Sequence, residues 1–291
     1  MKIGFIGAGK VGFTLGKYFR EHGIEVTGYF SRSIQSASEA AEFTATNVYV
    51  RRDDLVAASD VLFFTLPDKE IEPAYRQVSA LTIQGKIFCH CSGALSASEA
   101  FPGIEKLSAT GFSVHPLFAV SDKYNAYREL ADVFFTLEGS AAGLDFIQAW
   151  LQQIGLQVKV ISSEVKAKYH CAAALASNYV LGLLQFSQNL LLECGFAPQE
   201  AEKAIKPLFW GNAAHFLDNG LAAALTGPLE RGDLSTLQRH LACLNPQQGQ
   251  LYVLLARELL LTARHKHPQR NYASIVRFLE SQAECLHVAK G

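Results

Sequence analysis

Six residues near the start, Gly7-Ala8-Gly9-Lys10-Val11-Gly12, limit the folds open to this chain more than any other stretch. They follow Lys2 to Ile6, a short apolar run of strand type, and precede Leu15, Gly16, Phe19 and Arg20 at helical spacing. The pattern reads as strand, glycine turn, helix. The glycines differ in what they make possible. Gly7 permits the tight turn, Gly9 lets backbone come close to a pyrophosphate, and Gly12 lets the helix pack on the strand. The free N–H groups of the helix start, at the positive end of its dipole, then face a doubly charged phosphate bridge. Glycine turns of this kind also join strands to helices with no ligand, but here the neighbours on both sides favour a dinucleotide site.

The end of the second strand selects the dinucleotide. Ile24 to Phe30 runs as a strand into Ser31-Arg32-Ser33, where an NAD-preferring site wants a carboxylate for the ribose hydroxyls. None is present. A guanidinium between two hydroxyls suits the 2′-phosphate of NADP through charge-assisted forked hydrogen bonds. The alternative is a solvated Arg32 beside a Ser33 that caps the next helix.

Strands and helices keep alternating as far as Gln157 to Ile161, so the first half is expected to be an α/β domain with a doubly wound, mostly parallel sheet. The run from Asp60 to Leu66 has the apolar continuity of a buried parallel strand. Its carboxyl end, Leu66-Pro67-Asp68, is expected to line the cofactor, with Asp68 alternatively the N-cap of the following helix. The next strand, Lys86 to Cys91, brings Cys91, Ser92 and Gly93 to the same rim. After the strand Gly111 to Val114, a loop carries His115-Pro116, and proline holds His115 extended so that its ring aims over the sheet edge. His115 is a candidate for passing a proton near neutral pH, or else a ring that ties down a loop.

At Ser162-Ser163-Glu164 the composition changes and everything after is helical in pattern, which predicts a nucleotide-binding domain over 1–162 and an all-helical domain over 163–291. One long helix is expected from Val165 to Val180, with Lys166, His170 and Ser177 sharing a face with alanines and Asn178 on its flank. A lysine, an imidazole, a hydroxyl and an amide above alanine-sized gaps suit a small oxyacid; the other reading is a helix seam. Further amphipathic helices are expected over Pro198 to Trp210, Asn212 to Asn219, Leu234 to Leu244 and Pro246 to Leu261. Between them, Gly227-Pro228 turns the chain, Asp233 caps a helix and Arg231 is left free to pair with a carboxylate of substrate or protein. His265, Lys266, His267 and Arg270 read as a solvated basic stretch before a last helix.

At 291 residues with 49% hydrophobic content, the chain is long enough for two domains. A net charge of −1 argues against general affinity for nucleic acid or anionic membrane. The N-terminus begins directly with a strand and no stretch has the apolar length of a membrane span, so a cytoplasmic location is expected. The six cysteines are scattered and are expected to be reduced packing residues, with no spacing that supports a metal.

Taken together, GFIGAGKVGFTLG, FSRS, TLPD, CHCSGAL, SVHPLF, KAKYHCAAALASNY and GPLERGD resemble a Rossmann-like family with a helical C-terminal domain of unknown function, within the 6-phosphogluconate dehydrogenase-like superfamily. The resemblance implies a Rossmann sheet, an all-helical second domain that forms homodimers, and NADP binding. Superfamily members such as ketopantoate, pyrroline-carboxylate and 3-hydroxyacid reductases use a lysine and an asparagine one helical turn apart on the corresponding helix, whereas Asn178 lies far beyond Lys166 here. SVHPLF also resembles the His-Pro segment of prephenate dehydrogenases. The expectation is therefore an NADP-dependent oxidoreductase acting on the CH–OH or carbonyl group of a small 2-oxo or hydroxy acid, ketopantoate-like at its most specific. Lys166 would stabilise the alkoxide, His170 or His115 deliver a proton, Ser177 and Asn178 fix the carbonyl, and Arg231 hold the acid. A prephenate-type enzyme and a non-catalytic NADP(H) sensor are the alternatives.

Overall fold

Near-continuous apolar runs, whose side chains point in turn to the two sides of each strand, make the first half a sheet with two covered faces. The computed structural model describes the backbone of residues 1–288 and the side chains of 1–282, so that Cys285 lies outside the described side chains. In chain order the first half contains β1 (Lys2–Ile6), α1 (Lys10–Glu21), β2 (Glu25–Phe30), α2 (Ile34–Thr44), β3 (Asn47–Val48), α3 (Arg52–Ala58), β4 (Val61–Phe64), α4 (Asp68–Val78), β5 (Ile87–His90), α5 (Ala97–Ala100), β6 (Thr110–Pro116), β7 (Phe134–Gly139), α6 (Leu144–Gln153), β8 (Gln157–Val160) and α7 (Lys166–Ala176). The strands form one sheet in the order β3-β2-β1-β4-β5-β6-β7-β8, parallel except between β6 and β7.

Ile3 and Phe5 of β1 and Val61 and Phe63 of β4 enter a core with α1, α2 and α6, while Ile6, Leu62 and Phe64 enter a second core with α3 and α4. This is the doubly wound α/β fold, and each residue changes face with its neighbour because strand side chains alternate. Phe5 stacks on Tyr29 and Phe63 with ring centres 5.0 and 5.6 Å apart. Truncating any of these to Ala would cost about 3–5 kcal/mol. The strand order reverses between β1 and β4, and the cleft at their carboxyl ends is where ligands of such sheets gather.

Two elements differ from the sequence expectation. Strand β6 runs on through His115 and Pro116, because the antiparallel ladder with β7 pairs them with Thr136 and Phe135. Helix α7 stops at Ala176, since Ser177 adopts a non-helical backbone and turns its hydroxyl onto the Ala173 carbonyl at 2.7 Å. The expected single helix is therefore two, and the chain resumes as α8 (Asn178–Glu193).

The chain divides into two compact units, Met1–Leu181 and from Gly182 on, so α7 groups with the sheet although the composition changes at 162–164. The second unit continues with α9 (Pro198–Asn219), α10 (Leu221–Ala224), α11 (Pro228–Arg231), α12 (Leu234–Ala242), α13 (Pro246–Lys266) and α14 (Ala273–Val288). Leu229, Leu237, Val253, Leu260, Tyr272, Ile275 and Leu279 from α11 to α14 form its core. Helix α9 is continuous through Pro207 and Gly211, where the sequence pattern predicts two helices. Helix α8 buries none of its residues and α9 buries only Ala201, so neither covers the apolar face its sequence carries.

Candidate functional site

The glycine loop behaves as its spacing suggests. Gly7 has φ +111°, and a Cβ there would meet the Thr65 carbonyl at 2.5 Å. At Gly12 a Cβ would meet Thr65 Oγ1 at 2.6 Å and the Gly7 carbonyl at 2.9 Å, so α1 packs tightly against the end of β4. Gly9, the N-cap position of α1, has only the Thr65 carbonyl at 4.0 Å, which leaves its face open to a ligand. Thr65 donates from its hydroxyl to the Gly7 carbonyl at 2.9 Å and braces the turn.

A cavity of about 580 Å³ adjoins the loop, lined by Gly7, Ala8, Gly9, Ser31, Arg32, Leu66 and Pro67 among others. Arg52 also lines it, 5.8 Å over the Phe30 ring, with a buried Nε that has no partner among the described residues. A dinucleotide fits on these terms: an open glycine at a helix N-terminus, two guanidinium groups and an orphaned buried donor share one cleft. Glu70 faces the same cavity and pairs with Arg32 at 3.3 Å. Arg52, Thr65 and Glu70 were not among the expected site residues; Arg52 opens α3, four positions after the end of β3, and no local spacing ties it to the glycine loop.

Other expected rim residues are committed elsewhere. Lys10 donates to the Ser121 carbonyl at 2.9 Å. Val11 packs against the core, and so does Cys91. Ser33 caps α2 by accepting from the Ser36 amide at 3.2 Å. Asp68 is the first residue of α4 and not its cap, a position held by Pro67 without a side-chain bond. The Ser92 hydroxyl accepts from the Ala94 and Leu95 amides at 3.2 and 3.0 Å, and neither it nor Cys91 or Gly93 lines the cavity beside the glycine loop; Gly93 faces His115 and His170 instead.

Two periodicities mesh beyond Gly93. Ser113 and His115 lie on one face of β6, while Lys166, Tyr169 and His170 lie one turn apart on α7. Lys166 is 1% exposed and donates to Ser113 Oγ at 2.5 Å, and Ser113 donates to the Ser92 carbonyl at 3.3 Å. His115 Nδ1 is 2.7 Å from the Tyr169 hydroxyl. The gap above Gly93 is where the two histidines meet: a Cβ there would stand 2.8 Å from His115 Nε2 and 2.5 Å from His170 Nδ1. Sequence reading passed over Ser113 and Tyr169, though each sits at the correct spacing from a residue it selected.

Burial, then the Lys166 charge and His170, pulls His115 down to about 4, so its ring is neutral at physiological pH. Burial and Lys166 likewise hold His90 down at about 3. Lys166 is itself lowered by burial, against the opposing pull of Glu138 and Asp68. Glu138 is raised by burial and accepts from the Ala97 amide at 2.9 Å.

A second cavity, of about 490 Å³, is bounded by His115, Leu117, Phe118, Tyr169, His170, Ala173, Ser177 and Asn178. The structure thus gathers four of the six expected catalytic residues. Lys166 lies beneath them, bonded to Ser113. Arg231 stands in the second unit, exposed at the end of α11, and is not one of this group.

In that unit GPLERGD is a joint. Gly227 has φ +100°, Pro228 opens α11, Gly232 closes it at φ +83°, and Asp233 caps α12 by accepting from the Thr236 amide at 3.0 Å. Glu230 is gripped by His267 and Arg270, and Lys266 donates to the Leu225 carbonyl at 2.7 Å. The expected solvated basic stretch is therefore a clamp. The cysteine expectation is corrected as well: Cys171, Cys194 and Cys243 are free but exposed, so they are not packing residues. Among the described residues no His, Cys, Asp and Glu cluster could hold a metal ion, and no helix is long and apolar enough to cross a membrane.

Residues 2–92 match a family model described as NADP oxidoreductase, coenzyme F420-dependent, and residues 133–259 match one described as a domain of unknown function, DUF2520. Protein TM1727 from Thermotoga maritima has a similar structure at TM-score 0.71 and 27% identity, covering 91% of this chain and 99% of that one. BF3122 from Bacteroides fragilis, described as an NADP oxidoreductase, is similar at TM-score 0.59 and 20% identity over 89% and 97% of the two chains. An NADH-preferring ketol-acid reductoisomerase from an uncultured archaeon is similar at TM-score 0.69 and 15% identity over 98% and 89%. The latter two share the fold. No curated protein matches the chain in sequence.

Proposed function

We propose that this chain is an NADP(H)-dependent oxidoreductase that moves a hydride to or from the carbonyl carbon of a small 2-oxo or hydroxy acid, a branched acid of ketopantoate type being the first to try. One observation carries the reading: His115 Nε2 and His170 Nδ1 converge on a single point above Gly93, which follows β5, two strands along the sheet from the end of β1 where the glycine loop begins. The match of residues 2–92 to an NADP oxidoreductase model supports the cofactor. When bound, the nicotinamide supplies the hydride chemistry. Gly9 and the start of α1 hold the diphosphate, and Arg32 and Arg52 meet the adenosine end. His115, neutral and half-buried, hydrogen-bonds the substrate oxygen. His170 is exposed and exchanges the proton with solvent. The Asn178 side-chain amide donates to the acid, while Phe118 and the alanines of α7 form an apolar wall; the Ser177 hydroxyl borders the cavity with its proton given to the Ala173 carbonyl. Lys166 acts from beneath through Ser113 and through its charge on His115.

The test is loss of NADPH absorbance with a panel of 2-oxo acids and cyclic imines, and NADP reduction with hydroxy acids and prephenate. Turnover with an oxo acid that disappears in His115→Ala is the expected outcome. Turnover confined to imines or to prephenate moves the substrate class, and tight nucleotide binding with no turnover across the panel replaces the enzyme with a sensor.

The helical half is further inferred to pair with a second copy of itself. Trp210 and Leu217 of α9, two turns apart on one face and flanked by the exposed rings of Phe209 and Phe216, are 70% and 75% exposed. A helix of 22 residues is about 33 Å long, and such an apolar face is of the size and character that homodimer interfaces cover. A net charge of −1 sets no repulsion between copies.

A further inference from the structure

We propose that a third cavity, walled by α5, the start of β6 and the end of β7, binds a small amine that also carries an oxygen acceptor, an amino acid or an amino alcohol, with Glu138 taking the ammonium and Ser140 donating to the oxygen. The cavity lies wholly in the first unit, shares no lining residue with the two described above, and does not rest on the oxidoreductase reading.

Its volume is about 370 Å³, within the ~300–1,000 Å³ of small-molecule sites. Buried Phe101 and Ile104 give it an apolar side, and exposed Glu105 and Lys106 also line it. Glu138 near the end of β7 and Ser140 just past it enter from the sheet, only 7% and 8% exposed. Gly139 between them, at φ +153°, brings the strand end onto Gly111, where no side chain would fit.

Each of these two polar groups is only half satisfied. Glu138 Oε2 accepts from the Ala97 amide at 2.9 Å, whereas Oε1 has no hydrogen-bond partner among the described residues. Ser140 Oγ accepts from the Gly111 amide at 3.1 Å, and its own proton has no acceptor among them. Lys166 acts on Glu138 through space but donates to Ser113, so the carboxylate has no ion-pair partner among the described residues. A buried carboxylate with an unbonded oxygen and no paired cation is unfavourable, and burial accordingly raises its pKa. An ammonium supplies both the charge and the N–H donors that Oε1 lacks. The Ser140 proton calls for an acceptor beside it, which is why the occupant carries an oxygen as well as an amine. A divalent cation suits the place less, because it wants several oxygen ligands and no cluster of His, Cys, Asp and Glu among the described residues could hold one. Ser113 is the cross-strand partner of Glu138, so an occupant here places its charge beside the residue that Lys166 grips.

Titration calorimetry on the full-length protein without nucleotide tests the site. Glycine, leucine and ethanolamine carry both groups; propylamine and acetate each lack one. Saturable binding of at least one of the first three is expected, about tenfold or more tighter than that of propylamine or acetate, the loss of one charge-assisted hydrogen bond. Binding of glycine or leucine assigns an amino acid, and binding of ethanolamine alone an amino alcohol. Glu138→Gln keeps the shape, removes the charge and is expected to weaken binding about tenfold or more. Should that variant not fold, Ala141→Trp, at an exposed position of the cavity wall, is expected to block binding with the melting temperature in place. No saturable binding by any of the three, binding that the folded variants leave unchanged, or propylamine bound as tightly as the best of the three overturns the proposal.

Discussion

The ammonium of Lys166 donates to Ser113 Oγ across 2.5 Å, joining the first residue of α7 to the middle of β6 with both side chains buried. Ser113 passes the constraint to the Ser92 carbonyl, so one buried cation sets the distance between α7, β6 and the loop that presents Gly93. Glu138 supplies the opposing charge.

Lys166→Met removes that cation and leaves the Glu138 carboxyl buried without it. The expected result is a stability loss of about 1.5–3 kcal/mol, what a buried hydrogen bond from a charged group is worth. Urea unfolding of the two proteins measures it, and equal midpoints would show that the ammonium holds nothing in place.

The glycines of the first loop separate folding from binding. Gly12→Ala forces a methyl against Thr65 Oγ1 and the Gly7 carbonyl and is expected to lower the melting temperature. Gly9→Ala meets nothing closer than 4.0 Å, so it costs under about 1 kcal/mol of stability while weakening NADPH binding. Melting curves and nucleotide titrations of the same two variants give the contrast; parallel losses in both assays would contradict it.

Nucleotide preference is expected to follow Arg32. Arg32→Ala removes a charge-assisted bond of about 1.5–3 kcal/mol, so NADP affinity should fall roughly tenfold or more while NAD affinity stays near its starting value. Glu70→Gln frees Arg32 from its 3.3 Å partner and should move NADP affinity upward. Isothermal titration with both nucleotides reads the ratio, and an unchanged ratio in both variants refutes the assignment.

Acid lability has a defined window. His90 and His115 are held at about 3 and about 4, below the value near 6.5 they regain on unfolding. Between those limits the unfolded chain binds more protons than the folded one, so stability falls as pH is lowered from about 6.5 toward about 4. His90→Asn is expected to flatten part of that slope in denaturant midpoints taken across the window. A midpoint that stays constant there would mean the two rings are not neutral in the fold.

Association should depend on α9. Trp210→Asp places a charge on its exposed apolar face and is expected to give a monomer in sedimentation velocity where the unaltered chain is a dimer. A wild-type monomer at every concentration tested would remove the dimer from consideration.

Local physics wrote much of this molecule into its sequence. The glycine spacing, the continuous apolar runs and Asp233 as a helix cap all act within a few residues, so β1, α1, the sheet strands and the GPLERGD joint were legible without coordinates. Groups that meet across the chain were not. Tyr169 and Thr136 find His115 only because an antiparallel register and a helix lay them on one face, and Arg52 becomes part of a cleft only when β2 and α4 stand beside it. The clamp of Glu230 by His267 and Arg270 likewise depends on tertiary placement. Residue type and spacing determine which side chains are able to do chemistry, whereas burial and long-range pairing decide which face a site and which, like Lys166, are spent holding it together.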